Sequence, residues 1–224
     1  MPLNLSRPIL YLITHGATTE ATTPNSSEFR DLLAQISSAV DAGFDLIQIR
    51  EKNLTARVLF ELVSRAVEIT RGTSTRLLVN DRADIAAGAR ADGVHLTTQS
   101  LGAATIRQTF GKDFLIGAST HSLAEAIAAH ESGADFVVVG PIFETKSKEQ
   151  YGPPLGLSKL AEVTRALERF PVLALGGISA NNANDCLDAG AAGIAGISLF
   201  GEPENLKRIV GSIKNQRRES NNER

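Results

Sequence analysis

Eight short apolar runs, separated by helical patterns, constrain this chain more than any other feature. They are ILYLIT (9–14), LIQIR (46–50), RLLVND (76–81), GVHL (93–96), FLIGAS (114–119), FVVVGP (136–141), PVLALGG (171–177) and GIAGIS (193–198). Most are continuous rather than alternating, as in strands buried on both faces. Helical spacing predicts helices near 28–42, 55–71, 101–109, 122–131, 157–168, 182–188 and 203–213, with only a turn or two near 83–89.

Strands that alternate with helices pair in parallel, with the helices covering the sheet. Four segments (AGFDLIQIR, ADGVHL, SGADFVVVG and AGAAGIAGIS) repeat one pattern of helix end, Gly and apolar strand. A Gly there suits a left-handed helix cap. An open doubly wound sheet is the rival, but LYLITHGATTE lacks its G-x-G-x-x-G turn. The expected fold is a single α/β domain, a (β/α)8 TIM barrel over residues 1–213. The polar segment KNQRRESNNER (214–224) is expected to fray.

Composition removes several functions. A net charge of -2 leaves no basic excess for nucleic acid or an anionic membrane. The longest apolar run, near 136–143, is far shorter than the roughly 20 residues of a membrane helix. The segment MPLNLSRPILYLIT reads as a first strand rather than a leader. The single cysteine, Cys186, excludes a disulfide framework and a cysteine-rich zinc site, and reads as structural. A cytoplasmic protein with small-molecule partners is expected, with no nucleic-acid or membrane partner. The sequence leaves a homo-oligomer open.

Barrel active sites lie at the C-terminal strand ends. Strand two ends Gln48-Ile49-Arg50-Glu51-Lys52, with Gln48, Arg50 and Lys52 on one side by alternation. Two cations so placed suit a diphosphate, or form a solvated charge cluster. Strand three ends Asn80-Asp81, which suits Mg²⁺ and phosphate, or an ordinary turn or helix cap. Strand four brings His95, read as a polar core residue. Strand five ends Ser119-Thr120-His121: Ser119 could bond an anion, and His121 is either a neutral base or a plain helix-start residue. The long loop 140–157 carries Thr145, Ser147 and Lys148, as a lid over an anion would. Gly176 and Gly177 after strand seven, and Gly196, Ile197 and Ser198 after strand eight, have the placement of a barrel phosphate site. Two anion sites across one mouth suggest transfer between two phosphorylated substrates.

Seven stretches carry a family resemblance: QIREK (48–52), VNDRADIA (79–86), ADGVHL (91–96), GASTHS (117–122), GADFVVVGPIFETKSK (133–148), GPPLGL (152–157) and ALGGI (174–178). In this order and spacing the chain resembles the superfamily of thiamine-phosphate synthases and TenI-like thiazole tautomerases. The resemblance implies a transferase of thiamine biosynthesis. It would join a hydroxymethylpyrimidine diphosphate to a thiazole phosphate and release pyrophosphate. It further implies that Arg50, Lys52, Asn80, Lys148 and Ser119 meet the diphosphate. Asp81 would bind Mg²⁺, and Gln48 would face the pyrimidine. Thr145, Ser147 and the backbone at Gly177, Ile197 and Ser198 would hold the thiazole phosphate.

One departure from the synthases is important, and the His121-Ser122 pair and Phe143-Glu144-Thr145 also resemble the tautomerases. The synthases' second Mg²⁺ aspartate follows strand four, where this chain has Thr97-Thr98-Gln99-Ser100, with Ser100 in the Asp place. Tautomerases of the superfamily also lack that Asp and use a histidine at the position of His121. Gln48 and the Thr145-x-Ser147-Lys148 lid match the synthases. The synthase is the leading expectation, with a tautomerase or a non-catalytic thiazole-phosphate binder as alternatives.

Overall fold

A computed structural model of the chain describes residues 3, 5, 8–145 and 153–222, the last eight by backbone alone. Its elements run β1 (Ile9–Ile13), α1 (Ser27–Ala42), β2 (Leu46–Ile49), α2 (Ala56–Thr70), β3 (Arg76–Asn80), α3 (Ala83–Gly88), β4 (Gly93–Leu96), α4 (Ala103–Phe110), β5 (Leu115–Thr120), α5 (Leu123–Glu131), β6 (Phe136–Val139), α6 (Gly156–Ala166), β7 (Val172–Ala174), α7 (Ala183–Asp188), β8 (Gly193–Gly196) and α8 (Leu206–Asn222). Each strand is parallel to the next, and β8 closes on β1. The expected (β/α)8 barrel is the fold.

Continuous apolar strands are needed because both faces are buried. Ile9, Tyr11, Ile13, Leu46, Leu78, Phe136, Val138, Leu173 and Ala195 fill the barrel interior. The alternate residues, such as Leu10, Leu12, Ile47, Ile49, Leu77 and Val79, pack outward in the layer shared with the helices. Cys186 is buried there, and burial pushes its thiol pKa up to about 12, so it is an inert core residue.

The repeat seen in the sequence has a physical basis at the N-terminal end of the barrel. Asp45, Asp92 and Asp135 each stand directly before a strand. Each carboxylate accepts the backbone N–H of a residue at the start of the preceding strand: Leu10 at 3.0 Å, Leu77 at 2.8 Å and Ile116 at 2.7 Å. Asp92 and Asp135 also hold Arg76 and Arg107, each at 2.7 Å. A buried polar edge is thereby closed by side chains.

Two expectations need correction. In ADGVHL the left-handed position is Arg90 (φ 61), whereas Gly43, Gly133 and Gly190 hold it in the other three copies. Gly93 lies inside β4, where a Cβ would strike the Leu115 backbone oxygen of β5. The C-terminal segment also differs. After 3-10 turns at Ser198–Phe200 and Pro203–Asn205, α8 continues to Asn222 instead of fraying from 214. Beyond Gly211 the described part of α8 contains no Gly or Pro, so nothing in its backbone chemistry stops the helix.

Candidate active site at the barrel mouth

The C-terminal ends of β2, β3, β4 and β5 bring the first set of expected residues together. Gln48 is 1% exposed and points into the barrel, where it bonds Asn80 (Nε2 to Oδ1, 2.9 Å). Arg50 follows it at the rim, half-buried, with its backbone N–H on Thr14 Oγ1 at 2.8 Å. Its charge reaches His95: burial first and Arg50 second lower the His95 pKa to about 3. Lys52 stands in the following turn, exposed. Neither cation has a carboxylate partner among the described residues.

Glu51, between them, decides between the two readings of this strand end. It belongs to no solvated cluster but is 3% exposed. Its carboxylate accepts from Gly16 N (3.0 Å), Thr18 N (3.3 Å) and Thr18 Oγ1 (2.7 Å). It ties down the loop after β1, so the two neighbouring cations stay available.

Asp81 ends β3 on a strained backbone. Its φ is 61, and Arg82 N–H bonds the Asn80 carbonyl across it at 2.8 Å, a three-residue turn. The turn lifts the carboxylate out of the ladder and exposes it at the mouth. The loop after β4 folds back onto it: the Ser100 hydroxyl donates to Asp81 Oδ1, and Thr97 Oγ1 lies 3.4 Å from Oδ2. Ser100 therefore occupies the place beside Asp81 that the sequence reading assigned to a second carboxylate.

Ser119, at the end of β5, is half-buried with Oγ 2.9 Å from His95 Nε2. His121 is exposed and stands just before the helix N-cap Ser122, not in the first turn. Its backbone N–H is held by Glu125 at 2.7 Å.

The second set lies at β6, β7 and β8. Gly176 (φ 97) and Gly177 (φ 65) carry the turn after β7 in a conformation that favours glycine. They also meet a contact the sequence did not suggest. A Cβ at Gly176 would lie 2.6 Å from Pro141 Cα, and one at Gly177 would lie 2.7 Å from Phe143 Cβ. The loop after β6 thus rests on these glycines. Its two ends are joined by Leu155 N–H to Pro141 O (2.8 Å) and Gly156 N–H to Ile142 O (3.0 Å). Thr145 is half-buried at the edge of the described part. Ser147 and Lys148 lie outside the described residues. Ile197 and Ser198 lead into the 3-10 turn after β8, whose first N–H groups have no partner within the turn. That favours an anion there.

Sequence reasoning missed Tyr11. Its ring fills the barrel, and its hydroxyl bonds Gln48 and His95. A tyrosine between two inward isoleucines needs a buried partner for its hydroxyl, and that was the available signal. His95 is the satisfied polar core residue expected.

A sequence model of the family described as "Thiamine monophosphate synthase" matches residues 10–200. The chain belongs to that family. The chain is similar to a putative thiamine-phosphate synthase of Geobacter sulfurreducens, 45% identical over 80% of this chain and 84% of that protein. The thiamine-phosphate synthase of Roseiflexus castenholzii is 35% identical over 96% of both chains. Among solved structures, thiamine phosphate pyrophosphorylase from Pyrococcus furiosus superposes with a TM-score of 0.76 at 29% identity. It covers 93% of this chain and 98% of that one. The family match begins in β1 and ends after β8, so it spans every strand end described above.

Proposed function

We propose that this chain is a thiamine-phosphate synthase. It joins a hydroxymethylpyrimidine diphosphate to a thiazole phosphate and releases pyrophosphate. The carrying observation is that Arg50, Asn80, Asp81 and Ser119 converge at the ends of β2, β3 and β5, in a chain 35% identical to a synthase along 96% of its length.

The chemistry follows from the charges. The pyrimidine methylene C–O bond breaks, and its electron pair leaves with the diphosphate. The neutral thiazole nitrogen then forms the C–N bond, so no side chain has to remove a proton from it. The leaving group gathers negative charge, which Arg50 and Lys52, with no carboxylate partner among the described residues, stabilise. Gln48 and Asn80 bond each other at 2.9 Å, and the pair forms the polar face offered to the pyrimidine. The turn at Gly176–Gly177 and the 3-10 turn at Ser198 hold the thiazole phosphate by backbone N–H groups. By the family resemblance Lys148 is assigned to the diphosphate and Ser147 to the thiazole phosphate, both outside the described residues.

The donor set at Asp81 fits Mg²⁺. Among the described residues no three His, Cys, Asp or Glu converge. Magnesium does not need such a cage, because it keeps several waters and takes one or two carboxylates together with substrate phosphates. Asp81 supplies one exposed carboxylate beside Ser100 and Asn80. When bound, the ion neutralises charge on the departing pyrophosphate.

The test is to mix purified protein, both substrates and Mg²⁺, and to measure thiamine phosphate and pyrophosphate. Equal amounts of both are expected, with loss on chelation. No thiamine phosphate would overturn the proposal. Turnover of a thiazole carboxylate phosphate instead, abolished by His121→Ala, would establish the tautomerase.

A further inference from the structure

A continuous file of hydrogen bonds crosses the floor of the mouth and ends at two of its functional residues. Ser119 Oγ lies 2.9 Å from His95 Nε2, and His95 Nδ1 lies 3.2 Å from Tyr11 Oη. Tyr11 Oη lies 3.1 Å from Gln48 Oε1. Gln48 Nε2 lies 2.9 Å from Asn80 Oδ1, and Asn80 Nδ2 lies 3.4 Å from Asp81 Oδ2. Tyr11, Gln48 and His95 are buried, so water does not compete along the middle of the file. Gly117 leaves room for it: a Cβ there would lie 2.7 Å from His95 Nδ1.

The charge at one end sets the direction of every bond. An ionised carboxylate only accepts, so Asn80 turns its NH₂ to Asp81 and its oxygen to Gln48. Gln48 then donates through Nε2 and offers Oε1 to Tyr11. The Tyr11 hydroxyl has one proton and gives it to Oε1, so its oxygen accepts from His95. That requires the proton of the neutral His95 ring to sit on Nδ1. Nε2 is then an acceptor, and Ser119 donates to it. All the donors point towards Asp81, and Ser119 shows the mouth only lone pairs.

A diphosphate oxygen at Ser119 needs the opposite. For Ser119 to turn its proton outward, His95 must carry its proton on Nε2. Water is the proton carrier: Nδ1 releases one proton to solvent and Nε2 takes one from solvent, so the ring stays neutral. The Tyr11 hydroxyl turns to Nδ1, and the Gln48 and Asn80 amides turn over. Asn80 Oδ1 then faces Asp81, which is tolerable only when the carboxylate's charge is neutralised.

We propose that Tyr11 and His95 are positioning residues that couple Asp81 to Ser119. The charge at Asp81 decides whether Ser119 meets the mouth as acceptor or donor, so a divalent cation and a diphosphate bind cooperatively. The coupling rests on the reading of the mouth as a diphosphate site; the resting tautomer does not.

The test is long-range ¹H–¹⁵N NMR on ¹⁵N-histidine protein, with the His95 ring among four histidines assigned by His95→Gln. In the free protein Nδ1 is expected to be protonated and Nε2 bare. Asp81→Asn is expected to move the ring towards Nε2–H. Mg²⁺ with inorganic pyrophosphate is expected to do the same in the wild type. Tyr11→Phe, which keeps the ring 5.6 Å from Phe136, should uncouple the tautomer from the ligand. It should also weaken Mg²⁺–pyrophosphate binding about tenfold, the scale of one hydrogen bond. A free wild-type ring with Nε2–H, a tautomer indifferent to Asp81→Asn, or one that stays Nδ1–H with Mg²⁺ and pyrophosphate bound overturns the coupling. Failure to make thiamine phosphate would overturn the proposed function alone and leave the tautomer result standing.

Discussion

At the scale of single residues, Glu51 and His95 do the most for the site without offering their polar groups to a substrate. Glu51 accepts three hydrogen bonds from Gly16 and Thr18 in a buried place. Glu51→Ala leaves two backbone N–H groups without an acceptor, and it should cost about 2–4 kcal/mol in urea unfolding. Glu51→Gln, which still accepts, should cost clearly less. His95 carries a pH dependence. Its pKa is about 3 when folded, against an ordinary value near 6.5, so below pH 6.5 the unfolded chain takes up a proton that the folded chain refuses. Its contribution is complete above pH 6.5 and is lost as pH falls towards 3. The slope reaches at most about 1.4 kcal/mol per pH unit. Urea titrations between pH 7 and 4 should show this slope in the wild type, reduced in His95→Gln.

The strand starts and strand ends carry the predictions at the scale of elements. Asp92 closes the foot of β3 by bonding Leu77 N–H and Arg76. Asp92→Ala should cost about 1–3 kcal/mol, and Asp92→Asn less, because the amide oxygen still accepts. Thermal melts of the two variants check the order. Gly177→Ala combines a positive φ with a collision against Phe143, so it should displace the loop after β6. Thiazole-phosphate affinity is expected to fall more than stability, which calorimetry beside a melting curve separates. These elements also show what could be read beforehand. Strand and helix positions were legible because continuous apolar runs and helical spacing are local properties. The partners of Asp45, Asp92 and Asp135 were not, because each bonds a strand at least 15 residues away. The role of Glu51 was hidden for the same reason: its own neighbours are charged, and its partners lie 33 and 35 residues back in the chain.

For the molecule as a whole, the proposed function puts two anion sites at the mouth of one closed barrel. Inorganic pyrophosphate with Mg²⁺ and a thiazole phosphate should each raise the melting temperature, and their effects should add. At a hundredfold excess over Kd each contributes about 2.7 kcal/mol. The Ser100 departure from the synthase pattern is also tested at this scale. Ser100→Asp puts a second carboxylate against Asp81. It should tighten Mg²⁺ binding by about tenfold in calorimetry, since carboxylates are the ligands Mg²⁺ takes from protein. Without the ion it should lower stability by like-charge repulsion.

The sequence by itself determined the barrel, its strand order and the residue types at each strand end. Burial on both faces writes itself as unbroken apolar runs, and parallel pairing follows from the alternation with helices. It also placed Arg50, Asn80, Asp81 and Ser119 at strand ends, because those ends are where the apolar runs stop. Only the tertiary structure decided which polar groups meet. Closing the sheet sets Tyr11 of β1 against Gln48 of β2 and His95 of β4, and folds Ser100 back onto Asp81. Those contacts depend on barrel curvature and strand stagger, which no local stretch of the chain specifies. They turn separately ordinary residues into one directed file of hydrogen bonds between the two sides of the mouth.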